Sequence, residues 1–334
     1  MKISYIIALL GIVLMASCSK DDELFEGPPL NDLYGDFRVI DALEPSNANI
    51  DFANGETTYF TATFSATTAW ELKITGLTSG AQKSIKGTSN ELNAANATWN
   101  GSTTKFPMFK EEQCQVELYI PLDTTYLYDT ISVVSTKVNE GLLLTDFENE
   151  IDPNWDIFTQ SGADMSFNIV TDDAAPQGNA YYDMGGTVNW DWLIGMIEFP
   201  ASAYGETTFA LDENANNVYF NVLINVPEDI SNALVLFQFR EDENGDGTFN
   251  EGSEDMYSLQ LEEDLEPGWQ LISVKYSDLA ALADGEPTTP NGNGVHNPDM
   301  LHKVSVLMLA NPSSGYSQTL MDYLIFTEDA PLNP

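Results

Sequence analysis

The stretch VYFNVLIN, Val218 to Asn225, sets Val218, Phe220, Val222 and Ile224 on one parity and Tyr219, Asn221 and Asn225 on the other. A helix would space its apolar residues three and four apart; a period of two belongs to a strand with one face buried. The same period runs through TTYFTATFSA (57–66), AWELKITGL (69–77), CQVELYI (114–120) and DTISVVST (129–136). It returns in ALVLFQFRE (233–241), MYSLQLEE (256–263), WQLISVKYSDL (269–279), HKVSVLMLA (302–310) and QTLMDYLIF (318–326), with Gly, Asn and Ser turns between. The chain reads as all-β.

A length of 334 residues suggests more than one domain. The closely spaced short runs within residues 35–138 fit an Ig-like β-sandwich, with Trp70 and Trp99 as core residues. A second all-β unit occupies 139–334.

Strand parity also sorts the polar residues of that second unit. In LFQFR, Phe237 and Phe239 point inward while Gln238 and Arg240 point out; in YSLQLE, Ser258 and Gln260 take the polar side. With Tyr219 and Asn221, these residues predict one sheet face of amide, hydroxyl and guanidinium groups, the donors and acceptors that sugar hydroxyls require. A merely hydrated face of an antiparallel sheet would carry the same pattern. In YYDMGGTVNWDWLIG, residues 181–195, Trp190 and Trp192 share parity beside Asn189 and Asp191. Together with Tyr181 they could form a platform on which the C–H face of a pyranose stacks, or they could fill the core. Trp155, in DPNWDIF, is a further surface candidate, and Trp269, in PGWQLISV, is expected in the core.

The loop DENGDGTFNEGSED, residues 242–255, matches the first half of an EF-hand calcium loop. Asp242, Asn244, Asp246, Thr248 and Glu254 are its expected oxygen ligands, with Gly247 at the sharp turn. Ser253 stands at the twelfth position, where a bidentate Glu belongs, and the flanks are strands, so the expectation is a calcium-clipped hairpin. A plain acidic turn is the alternative.

The chain opens MKISYIIALLGIVLMASC, an apolar run too short to span a bilayer comfortably and fitting a signal segment over residues 1–17. Leu14-Met15-Ala16-Ser17-Cys18 resembles a bacterial lipobox, which implies lipidation at Cys18. Residues 18–34 read as an acidic, Gly- and Pro-bearing tether. With 52 acidic against 12 basic residues, a net charge of −40, the chain is set against nucleic acid and anionic glycans unless a cation mediates. Neutral sugars and divalent cations remain. Cys114, in a strand-like alternation, is expected to be a buried small hydrophobe with no disulfide partner.

Asp146-Phe147-Glu148, then Gly268-Trp269-Gln270 with Ser277-Asp278-Leu279, then a final strand bearing Asp322, resemble the galactose-binding-like jelly roll of many carbohydrate-binding modules. The resemblance covers 141–334. It implies a structural calcium near Glu148 and Asp322, with Asp146 a further participant. Together with the lipobox, the chain resembles a surface glycan-binding lipoprotein of a starch-utilisation-type uptake system. That implies an outer-membrane, surface-exposed, lipid-anchored protein, a glycan ligand and a partner transporter complex in the outer membrane. A neutral β-glucan such as laminarin is the expected ligand class. An adhesion lipoprotein binding a protein partner is the alternative. A jelly-roll glycosidase is disfavoured: Glu150-Ile151-Asp152-Pro153-Asn154-Trp155 begins the laminarinase pattern but places Trp155 where the second catalytic Glu belongs, with Pro153 inside the strand. The two histidines, His296 and His302, show no zinc or triad spacing.

Overall fold

The computed structural model describes residues 35–173, 175–187, 193–227, 233–261, 265, 268–310 and 316–334. Its first seven strands are β1 (Val39–Pro45), β2 (Asn49–Asp51), β3 (Thr58–Gly76), β4 (Gln82–Leu92), β5 (Thr98–Trp99), β6 (Gln113–Ile120) and β7 (Thr125–Ser135). They join in a single seven-stranded sheet through the 19-residue β3, which pairs with β1 and β5 along its first part and with β6 along its second. Alternation fills the core of this half from alternate positions: Phe60, Ala62 and Phe64, then Leu72 and Ile74, and on β6 Cys114, Val116, Leu118 and Ile120. Trp70 and Trp99 are buried in it as expected. Cys114 is also buried, and that burial, reinforced by the Glu112 charge, pushes its thiol up to about 12.

The second half supplies β8 (Leu142–Thr145), β9 (Asp156–Thr159), β10 (Asp164–Thr171), β11 (Ala180–Thr187), β12 (Leu193–Pro200), β13 (Val218–Asn225) and β14 (Ala233–Glu241). It continues with β15 (Met256–Leu261), β16 (Gln270–Lys275), β17 (Leu282–Ala283), β18 (Glu286–Pro287), β19 (Leu301–Ala310) and β20 (Tyr316–Glu328). Two antiparallel sheets form. One is six-stranded in the order β10-β11-β20-β13-β16, with β8 also on β20; the other is five-stranded in the order β15-β14-β19-β12-β9. Val218, Phe220, Val222 and Ile224 of the first sheet and Val235, Phe237 and Phe239 of the second all enter one core, as their parity requires. Phe220 is central, its ring 5.2, 5.0 and 5.3 Å from those of Phe237, Phe239 and Phe326. This is the jelly-roll arrangement. Among the described residues no helix is long and apolar enough to cross a membrane.

Over β13, β16 and the later part of β20 the outer face of the six-stranded sheet is covered. Leu223, Tyr323, Ile325 and Leu332 form a third apolar cluster there, against which Phe106 and Met108 of the first half pack. Backbone bonds tie the halves: Met108 N–H donates to the Pro176 carbonyl at 2.7 Å and Thr103 N–H to that of Pro334 at 2.7 Å. The junction thus covers the β13 and β20 part of that face, while β10 stays exposed at Asp164, Ser166 and Asn168; the outer face of the five-stranded sheet lies outside this junction.

Candidate functional site: the open face of the five-stranded sheet

Register defines what that remaining face presents. Gln238 pairs with Ser258 on one side and Ser305 on the other; Ser305 pairs with Glu198, and Glu198 with Asp156. Side chains of paired residues share a face. A polar row, Ser258–Gln238–Ser305–Glu198–Asp156, therefore crosses all five strands. One pleat along, Met256, Arg240 and Lys303 lie abreast. One pleat the other way come Gln260, Leu236, Leu307, Met196 and Phe158.

Glu198 organises the charges. Its carboxylate meets Arg240 Nη1 at 2.5 Å and Lys303 Nζ at 3.2 Å, and it accepts from Ser305 Oγ at 2.7 Å. Lys303 reaches Asp156 as well, at 3.2 Å, and Arg240 Nη2 donates to Gln238 Oε1 at 3.1 Å. Burial alone would raise the Glu198 carboxyl; the Ser305 hydrogen bond and the two cations outweigh it and hold the group below its ordinary value of 4.5. The guanidinium also lies 5.8 Å from the centre of the Phe249 ring, a cation–π distance.

At the β14–β15 end the face deepens into a recess of about 380 Å³. Gln238 and Met256 line it from the sheet, Phe249 and Glu251 from the loop between those strands, and Leu282 and Pro290 from the opposite wall. A volume of this order holds a small ligand or one unit of a longer one. The recess offers an amide, an aromatic ring and a thioether side by side, the mixed polar and apolar lining that a sugar ring needs.

The sequence-predicted binding residues divide. Gln238, Arg240, Ser258 and Gln260 share this face, as expected. Tyr219 and Asn221 do not, because β13 lies in the six-stranded sheet while β14 and β15 lie in the five-stranded one. Asn221 is fully buried under the C-terminal segment; its Nδ2 donates to Ile325 O and Thr327 Oγ1, and its Oδ1 accepts from Ser273 Oγ and the Leu332 N–H. It is a clamp, with no access to a ligand. The Tyr219 ring sits 5.6 Å from Lys275 Nζ. Tyr181 also lies on the six-stranded sheet, in edge contact with Trp269 at 5.4 Å. Trp269 itself packs on the cluster at the junction, not in the main core. Trp155 packs against the main core, 4.9 Å from Phe199 and 6.2 Å from Phe147, so it is no exposed platform. Trp190 and Trp192 lie outside the described residues, as does Cys18.

The 242–255 loop turns on its own backbone. Asp242 accepts from the N–H groups of Asp246 and Gly247 at 3.1 and 2.7 Å, and Glu254 from those of Asn244 and Asn250 at 3.2 and 2.6 Å. Asn244 and Asp246 close short turns onto Asp246 and Thr248 N–H. The oxygens of the EF-hand-like set are thus engaged with loop donors. At the other implied site Asp322 is fully buried, and burial, with Glu148 and Asp146 pushing the same way, holds its carboxyl well above the usual range despite N–H donors from Tyr323 and Gln177. Gln177 has its side-chain oxygen buried with no hydrogen-bond partner. Asp322 on β20 and the 177–180 segment meet here: the Gln177 N–H donates to Asp322 at 3.2 Å and the Asn179 and Ala180 N–H groups to Glu148 at 2.6 and 2.9 Å.

Glu198, Lys303, Ser305, Asp156 and Phe249 escaped sequence reasoning. Alternation in LIGMIEFP and HKVSVLMLA already put Glu198, Lys303 and Ser305 on the outward parity; only the pairing of β12 with β19 brings them to Arg240. Phe249 lies in a loop, where no period applies.

No family model matches the chain, and no curated protein matches it. Among solved structures it is similar to the surface glycan-binding protein PbSGBP-B from Prevotella bryantii, at 12% identity over 88% of this chain and 77% of that one, with a TM-score of 0.40. It is similar to SGBP-B from a complex xyloglucan utilization locus in Bacteroides uniformis, at 10% identity over 87% and 73%, TM-score 0.34. It is also similar to the family 11 carbohydrate-binding module of a cellulosomal cellulase of Clostridium thermocellum, at 15% identity over 57% of this chain and 96% of that one, TM-score 0.39.

Proposed function

We propose that the chain is a non-catalytic surface glycan-binding protein whose jelly roll captures a neutral glycan on the open face of its five-stranded sheet. The observation that carries this reading is the polar row Ser258–Gln238–Ser305–Glu198–Asp156 with Arg240 beside it, ending in a recess that Phe249 walls. A glycan chain laid on this face would exchange hydroxyl hydrogen bonds with its accessible members Gln238, Arg240 and Asp156, which the buried Ser258, Ser305 and Glu198 hold from beneath, and stack one ring on Phe249. In the full reading, Cys18 carries a lipid anchor in the outer membrane, residues 18–34 form the tether, and residues 35–138 form an Ig-like spacer. Bound oligosaccharide is handed to an outer-membrane transporter. A β-glucan such as laminarin suits the chain's charge, and calcium at Glu148, Gln177 and Asp322 serves as a structural ion.

Affinity electrophoresis of the full chain against neutral polysaccharides, laminarin among them, tests the reading. Retardation by at least one, lost in Gln238→Ala and Phe249→Ala but kept in Tyr181→Ala, is expected. Uniform failure to bind would leave the adhesion reading, which one observation favours: Tyr119, Tyr126 and Tyr128 stack in series at 4.7 and 6.4 Å, and Tyr126 and Tyr128 are about half exposed.

A further inference from the structure

The loop that resembles an EF-hand lies beside a different set of acids. Glu241 ends β14 at an irregularity in its pairing with β19, which frees it from the strict alternation of the strand. Its side chain is fully buried, as is that of Asp255, and Glu243 is half-buried next to them. One carboxylate oxygen of each lies within 4.8 Å of the other two. Two oxygens sharing an ion at about 2.4 Å can be no more than roughly 4.8 Å apart, so the spacing is that of a common ligand sphere.

The hydrogen bonds around the three are incomplete in a telling way. Glu241 Oε1 accepts from Tyr276 Oη at 3.0 Å and from the Asn297 N–H at 2.8 Å, whereas Oε2 is buried with no hydrogen-bond partner. Asp255 accepts from the N–H groups of Gly292 and Gly294 at 2.5 and 2.7 Å, and Glu243 from that of Asn293 at 3.2 Å. Among the described residues no ion pair reaches any of the three. Backbone N–H groups and the Tyr276 and Tyr257 hydroxyls, none of them charged, face up to three negative charges, two of them out of contact with water, in a chain of net charge −40. Buried carboxylates of that kind either take up protons or hold a cation. The ligand atoms are all oxygen, which selects a hard divalent cation over a softer transition metal.

We propose that Glu241, Glu243 and Asp255 bind a calcium-type divalent cation, which staples the 242–255 loop to the 292–297 segment. This site is distinct from the set Asp242, Asn244, Asp246, Thr248 and Glu254 and from Glu148, Gln177 and Asp322. It stands without the glycan reading, although the two segments that it joins also run into the walls of the recess: Asn291 Nδ2 donates to the Glu251 carbonyl at 2.8 Å.

Calcium chloride titrated calorimetrically into the chelator-treated full chain, with melting followed in parallel, tests the site. Saturable binding is expected, with a melting temperature raised by roughly 5–10 °C at a hundredfold excess over Kd. Glu241→Gln with Asp255→Asn should remove one binding event per chain, and Asp242→Asn should remove none. Should the buried double variant not fold, Glu243→Gln, at a half-exposed position, decides: its affinity at that event should fall at least tenfold. No calcium binding by the folded wild-type chain, unchanged affinity in Glu243→Gln, or loss of the event in Asp242→Asn would each overturn the proposal.

Discussion

At the scale of single residues, Asn221 and Phe249 should behave as opposites. Asn221→Leu leaves the buried Leu332 N–H without an acceptor and takes one partner each from Thr327 and Ser273, at about 2–4 kcal/mol. Calorimetry should show a melting point lower by roughly 5–15 °C, with glycan affinity unchanged at temperatures where the chain is folded. Phe249→Ala creates no core cavity and should leave melting near normal while weakening glycan binding about tenfold, the worth of one stacked ring. Arg240→Ala falls between. It removes a sugar-facing donor, but it also takes away the closest cation to a nearly buried Glu198, so a loss of about 1–3 kcal/mol in stability should accompany the loss of binding. Alternation in the sequence distinguished outward Arg240 and Gln238 from inward Phe237 and Phe239. It misplaced Asn221, expected on the sugar-facing side and found buried, because an outward parity means solvent on one sheet and a covered junction on the other.

At the scale of elements, the polar row depends on pairings that no local pattern encodes. Glu198 on β12 draws together Arg240 of β14, Lys303 and Ser305 of β19 and, through Lys303, Asp156 of β9. Its folded-state pKa is depressed, so its stabilising contribution is complete above the ordinary value of 4.5 and is lost as pH falls through the folded value. Melting curves of wild type and Glu198→Gln should accordingly differ at pH 7 and converge in the acid range below about 4.5. The strands themselves were legible because each is a short half-buried run. Their order in the sheets was not, since β14 and β19, neighbours in space, are separated by β15 to β18 in the chain. The acidic loop shows the limit of motif reading: the spacing of Asp242, Asn244 and Asp246 drew attention to the right hairpin, while the approach of carboxylate oxygens within 4.8 Å singles out Glu241, Glu243 and Asp255.

For the whole molecule, the decisive contact is the one between the halves. Phe106 and Met108 cap the cluster of Leu223, Tyr323, Ile325 and Leu332, so the two cores should melt together. Phe106→Asp combined with Met108→Asp should split the calorimetric transition in two, because each half keeps its own core while the apolar seal between them is lost. A single sharp transition in that variant would show that the backbone bonds at the junction suffice.

The position of β20 has a kinetic consequence. It is the hub of the six-stranded sheet, flanked by β11 and β13 and also holding β8, where Leu142 pairs with Phe326. Asn221 waits on Leu332, a partner 111 residues further along. A chain emerging in order from its N-terminus can therefore complete the first half and the strands β8 to β19 without any means of closing that sheet. Until residues 316–332 arrive, the edges of β11 and β13 stay unpaired and Phe106 and Met108 stay uncovered. Such long-range closure is slow, and unpaired edges recruit other chains. A version ended at residue 310 should consequently retain the N-terminal core but associate through the unfinished jelly roll, visible as early-eluting material in size-exclusion chromatography.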